Sequence, residues 1–174
     1  LIYSIEYNKS IQGLSFKTQS LYVVVFCTRY LDLFTSFHFL YNTLMKIFFI
    51  ASSVYVVSTL TYQYQKSIKE DIDTFPLRYL TGGAFIFALI FTNKYTPGEV
   101  LWSFSIWLES VAILPQLFML QRTGEAENIT VHYIAALGAY RALYIPNWAY
   151  RYITEGRFEK ISFFAGVVQT LVYS

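Results

Sequence analysis

Four ionised side chains sit where their neighbours are almost entirely apolar or aromatic: Arg29 and Asp32 within YVVVFCTRYLDLFTSFHF, Glu109 within FSIWLESVAILPQLF, and Arg141 within GAYRALYIPNWAYRY. A charge near the centre of a membrane helix costs about 2.5–3.5 kcal/mol on insertion scales, and more when it has no partner. The four signs cancel, two cations against two anions, so pairing inside a helical bundle or across a water-filled cavity is the least costly arrangement. Guanidinium forks hold carboxylates bidentately. Arginines lining such a cavity, with carboxylates at its edge, are therefore equipped to bind an anionic ligand.

Helical spacing orients these groups. Arg29, Asp32 and Ser36 fall at i, i+3 and i+7, which is one stripe. Tyr140, Tyr144, Asn147, Trp148 and Arg151 fall at i, i+4, i+7, i+8 and i+11, a second stripe of hydrogen-bonding groups turned toward a cavity. Arg141 lies about 100° away from that stripe and is expected to pair with the buried Glu109. Arg151 with its Tyr and Trp neighbours reads either as a ligand-binding group or as a snorkelling cation in an interfacial aromatic belt. Glu99 and Trp102, one turn apart at a helix entrance, read either as ordinary interface residues or as a carboxylate and a ring that accept a cation. Pro146 removes a backbone donor and is expected to bend its helix near Asn147.

Other chemistries lack their residues. His38 and His132 stand alone, with no Cys or carboxylate at metal spacing, so no metal site is expected. There is no phosphate-binding Gly-rich loop and no nucleophile motif, so the chain is expected to be neither an enzyme nor a cofactor carrier. Cys27 is the single cysteine; it excludes an internal disulfide and is expected to be a small core residue. Thirteen Lys/Arg against 11 Asp/Glu leave no basic field for nucleic acid.

The elements that must position these residues are membrane helices. The chain is 55% hydrophobic and 14% charged, against about 25% charged in soluble domains, and its mean hydropathy is +0.40. Segments near 18–39, 43–63, 78–93, 99–120, 130–150 and 160 onward are long and apolar enough to span, and LIYSI reads as the tail of a further one, giving seven. The connections are short and polar, so one transmembrane helical domain is expected over 1–174. ILPQLFML and GVVQTLVY share a faint apolar–Gln–apolar pattern, compatible with two related three-helix halves. Loop cations divide six against five and set no orientation. The absence of an initiator Met and the apolar close at LVYS are expected to mark a fragment.

TRYLDLFTSF, WSFSIWLESVAILPQLFML, TGEAENITVHY and YRALYIPNW resemble the KDEL receptor family, the ER lumen protein-retaining receptors, over nearly the whole chain. GLSFKTQSLY, LMKIFFIAS and YIPNWAYRY lean toward its fungal members. The resemblance implies a seven-helix membrane receptor of SWEET/PQ-loop type, made of two three-helix bundles. Such a receptor binds the C-terminal Lys/His-Asp-Glu-Leu signal of escaped ER proteins in the cis-Golgi at mildly acidic pH. It returns them in COPI vesicles and releases them in the ER.

The resemblance also assigns roles. Arg29 clamps the terminal carboxylate, and Arg151 captures the acidic groups. Glu99 and Trp102 receive the Lys or His at the fourth residue from the end, with Asp32 and Ser36 nearby. Tyr140, Tyr144, Asn147 and Trp148 form the wall, and Glu109 with Arg141 forms a buried switch pair. Partners implied are the retention peptide, membrane lipid and, through a C-terminal tail beyond the given residues, the COPI coat. The family's pH-sensing histidine belongs to a first helix that also lies outside them. Glu159 stands where many members have Asp, and Asn8 and Asn128 fall in cytosolic loops, where both are expected to stay unglycosylated. A small-solute transporter of SWEET or PQ-loop type is the alternative, and it would need a cavity fitted to a neutral solute.

Overall fold

A computed structural model describes residues 2, 14–31, 40–66, 75–92, 94–123, 128–155 and 160–173. The described residues form helices α1 (Phe16–Arg29), α2 (Leu40–Lys66), α3 (Leu77–Phe91), α4 (Pro97–Val111), α5 (Leu114–Thr123), α6 (Asn128–Glu155) and α7 (Lys160–Tyr173), with no strand among them. Their starts follow local chemistry. Ser15 caps α1, its Oγ accepting from the Thr18 N–H at 3.1 Å. Thr96 caps α4, followed by Pro97 in the first turn, where a missing N–H is harmless.

Helices occupy the expected segments, with two differences. The segment foreseen at 18–39 is helical from Phe16 to Arg29, and 32–39 lies outside the described residues. The segment foreseen at 99–120 is two helices in line, broken at Ala112 and Ile113. Pro115 explains the break: its ring excludes the carbonyl of Val111 and supplies no N–H, so Ala112 closes a tighter turn onto the Glu109 carbonyl at 3.4 Å. Pro146, by contrast, sits inside α6 without ending it.

Leu40–Tyr62, with mean hydropathy 1.6 over 23 residues, and Pro97–Arg122, with 1.4 over 26, are long and apolar enough to cross a membrane. At 1.5 Å per residue they reach roughly 35 and 39 Å, against a hydrocarbon thickness of about 30 Å. Leu77–Phe91 and Ile161–Val172 are shorter apolar helices. α4 is central, packing on α1, α3 and α7, whereas α2 leans on α1. Leu21 and Val25 of α1, Ala84 and Ala88 of α3, Ile106, Trp107 and Leu108 of α4, and Ile161 and Ala165 of α7 form one core.

The distribution of polarity is inverted relative to a soluble bundle. Leu40, Leu44, Ile47, Phe85, Ile86 and Ile90 face outward, while Ser103, Ser105, Glu109, Ser110 and Gln116 are buried. Lipid as the external solvent accounts for both halves of that pattern. Cys27 corrects the expectation of a core position: it is exposed. It lies on the outer flank of α1, where a small, weakly polar thiol is compatible with lipid.

α1 is fastened to the α4–α5 break. The Pro115 kink frees the Gln116 N–H, which donates to Thr18 Oγ1 at 3.0 Å, and Gln116 Oε1 accepts from the Ser15 N–H at 2.7 Å. All three residues are buried, so each bond replaces water that the interior does not supply. The network sets α1 antiparallel to α4, with Ser15 beside Gln116 at one end and Arg29 beside Ser105 and Glu109 at the other.

Candidate ligand-binding site

Arg29 ends α1, and its Cβ leans toward the helix N-terminus, which brings the guanidinium back into the bundle. Nε donates to Ser105 Oγ at 3.2 Å, and Nη2 meets Glu109 Oε2 at 2.5 Å. Nη2 has no aligned hydrogen bond, so this contact is an ion pair. The Ser105 hydroxyl donates to the Trp102 carbonyl at 2.6 Å, which leaves its oxygen as an acceptor for Arg29. Glu109 is buried and Arg29 partly so, with side-chain exposures of 8% and 17%. Their two charges therefore compensate each other where water cannot.

Beside this pair lies a cavity of about 740 Å³, within the range of small-ligand sites. α1 supplies Gln19, Tyr22, Phe26, Arg29 and Tyr30 to its wall, and α2 supplies Phe48, Phe49, Ser52, Ser53 and Val56. Glu109 enters from α4, and Tyr133, Leu137, Tyr140 and Tyr144 from α6. Gln19 Nε2 donates to the Tyr133 hydroxyl at 3.3 Å, joining α1 to α6 at the end away from Arg29. Tyr140 and Tyr144 meet edge to face, with ring centroids 5.0 Å apart.

The structure brings Arg29, Glu109, Tyr140 and Tyr144 together on this wall. Glu99 and Trp102 are not part of it, but they continue one α4 stripe through Ser105 to Glu109, at i, i+3, i+6 and i+10. Glu99 is exposed in the first turn and Trp102 is half-buried against the core. Asn147 lies on α6 beyond the wall and is exposed. Asp32 and Ser36 lie outside the described residues, as do the side chains of Arg141, Trp148 and Arg151, although the last three have their backbones in α6. Glu109 was expected to meet Arg141; its described ionic partner is Arg29.

Several site residues escaped the sequence reading. Ser105 lay on the Trp102–Glu109 stripe and would have been found by extending it. Tyr133 and Leu137 likewise extend the Tyr140–Tyr144 stripe two turns inward. Gln19, Ser52 and Ser53 carry no such signal, because isolated polar residues in apolar helices are equally common at packed helix contacts.

An arginine–glutamate pair at the edge of an aromatic cavity in a helical membrane protein is an arrangement that a membrane receptor or carrier could use. The comparison with known sequences decides the family. The family described as ER lumen protein retaining receptor matches residues 10–151. The ER lumen protein-retaining receptor of Kluyveromyces lactis is 55% identical, with 100% of this chain and 82% of that protein covered. That of Saccharomyces cerevisiae is 53% identical over 100% and 83%, and the ER lumen protein-retaining receptor 3 of Mus musculus is 48% identical over 99% and 81%. The chain belongs to the ER lumen protein-retaining receptor family, which is a family of receptors and not of enzymes.

Proposed function

We propose that this chain captures soluble ER proteins that have reached the cis-Golgi by binding their C-terminal Lys/His-Asp-Glu-Leu signal, and returns them in COPI vesicles for release in the ER. The fold proposed for it is a single domain of seven membrane helices of SWEET/PQ-loop type. The observation that carries the reading is Arg29, held by Ser105 and Glu109 at the edge of a cavity. Its described contacts use Nε and Nη2, and Nη1 carries two further donors with which to take a terminal carboxylate.

Lengths support the same ligand. From Glu109 back to Glu99 is ten residues of helix, about 15 Å. An extended tetrapeptide spans roughly 13–14 Å. A carboxylate at Arg29 therefore places the cation of the fourth residue from the end near Glu99 and Trp102, where an anion and a ring can receive it. Asp32, Ser36, Asn147, Trp148 and Arg151 are proposed to complete the site, with Arg141 beside Glu109 in the switch.

Charge supports the pH dependence. Arg29 and Glu109 already offset each other, so an incoming carboxylate adds negative charge to a poorly solvated interior. Binding is then linked to uptake of a proton, which makes it tighter as pH falls. A neutral sugar would gain nothing from the buried ion pair, which disfavours a sugar transporter.

The test is binding of a labelled His-Asp-Glu-Leu peptide by the full-length receptor at about pH 5.5 and about pH 7.4, either side of the range in which histidine titrates. Tighter binding at the lower pH, and strong loss on amidation of the C-terminus, are expected. Equal binding of the amidated peptide would remove the carboxylate clamp.

A further inference from the structure

Ser105 is fully buried and meets the Arg29 guanidinium from the same face of α4 as Glu109, one turn further along. Its oxygen accepts from Nε at 3.2 Å, and its proton is committed to the Trp102 carbonyl at 2.6 Å. The two α4 residues therefore share one edge of Arg29. In the planar guanidinium, the Nε–H and one Nη2–H lie side by side and point the same way, a fork that fits a carboxylate by itself.

Glu109 does not take that fork. Its contact with Arg29 runs from Nη2 to Oε2, while Nε goes to Ser105. Nη2 is shut off from solvent and has no aligned hydrogen bond. A carboxylate beside a buried guanidinium is stabilised most by two N–H bonds from one edge, yet here a neutral hydroxyl, a weaker acceptor, occupies one of the two prongs. The bond to Ser105 thus holds the fork off its optimum on Glu109. Meanwhile Arg29 keeps 17% of its side chain exposed and lines the cavity.

We infer that Ser105 is a positioning residue for the bound peptide: by competing with Glu109 for the Nε–Nη2 edge, it stops the ion pair from closing and keeps Nη1 turned to the cavity. The inference rests on the peptide reading above and adds a residue to it. Without the hydroxyl, a small rotation of the guanidinium sends both Nε–H and Nη2–H to Oε2. That chelate uses one oxygen, so it is open to Glu109 whatever Oε1 holds. It satisfies Nε, replaces the misaligned contact, and turns Nη1 out of line with an incoming carboxylate. Ser105 itself acts only through Arg29. Its own direction is set by the carbonyl of Trp102, the residue proposed to receive the far end of the ligand.

The experiment uses full-length receptor, as wild type and Ser105→Ala. Labelled His-Asp-Glu-Leu and its C-terminally amidated form are titrated against each, and thermal unfolding is followed without peptide. Alanine is the best helix former and position 105 lies inside α4, so the variant folds. Affinity of Ser105→Ala for the acid is expected to fall about tenfold, the loss of one charge-assisted bond. Affinity for the amide should be unchanged, and Tm should not fall below wild type, because Glu109 takes over Nε. A serine that only supports the fold predicts the opposite: a lower Tm, with acid and amide weakened by the same factor. That pattern, unchanged affinity for the acid, or a lowered Tm alone overturns the role of Ser105 and leaves the peptide reading standing. A wild type that binds the amide as well as the acid instead overturns the peptide reading itself, and this inference with it.

Discussion

Replacing Arg29 by lysine separates charge from geometry at the centre of the site. The positive charge stays opposite Glu109, so the buried ion pair persists and the large cost of an uncompensated anion is avoided. What disappears is the planar fork, including the Nε donor that Ser105 Oγ accepts at 3.2 Å. Loss of that bond lowers stability by about 1 kcal/mol, so the variant folds. A peptide carboxylate loses one of two parallel charge-assisted bonds, worth about 1.5–3 kcal/mol, or roughly 10- to 150-fold in Kd. Titration of labelled His-Asp-Glu-Leu against purified full-length receptor reads the loss, and thermal unfolding of the same samples reports the stability. The amidated peptide should show no comparable difference between wild type and variant. The reasoning is refuted if the Arg29→Lys variant keeps wild-type affinity for the acid, or if acid and amide weaken by the same factor.

Two further substitutions probe the structure around this point. Glu109→Gln leaves the buried Arg29 charge without its described counter-ion, which lowers stability by about 3–5 kcal/mol; saturating peptide should raise the Tm of this variant more than that of wild type, because it restores an anion, and equal peptide-induced shifts would count against a shared Arg29. Gln116→Leu leaves the Ser15 N–H buried without its 2.7 Å acceptor, costing about 1–3 kcal/mol; a lower Tm with unchanged peptide affinity is expected, and lost affinity would show that the fastening of α1 to the α4–α5 break also shapes the cavity.

The ease of reading this chain differs from residue to residue for physical reasons. Arg29 and Glu109 were legible because a charge in an apolar run is expensive and so must have a purpose. Tyr140 and Tyr144 were legible because helical periodicity places them on one face. Ser105 was overlooked because serine is common at close helix contacts and differs from other interface serines only through the side chain facing it.

By itself the sequence determined the solvent, the helical segments and the family, since hydropathy, helical period and long matched runs are properties of the chain read locally. Pairing was a different matter. That Glu109 faces Arg29 depends on how neighbouring helices are rotated and slid, and that is set by contacts such as Thr18 and Ser15 on Gln116, nearly a hundred residues apart or more. Only the packed bundle decided that Arg29 carries a counter-ion and still borders a cavity. Burial sums over many helices, whereas periodicity belongs to one.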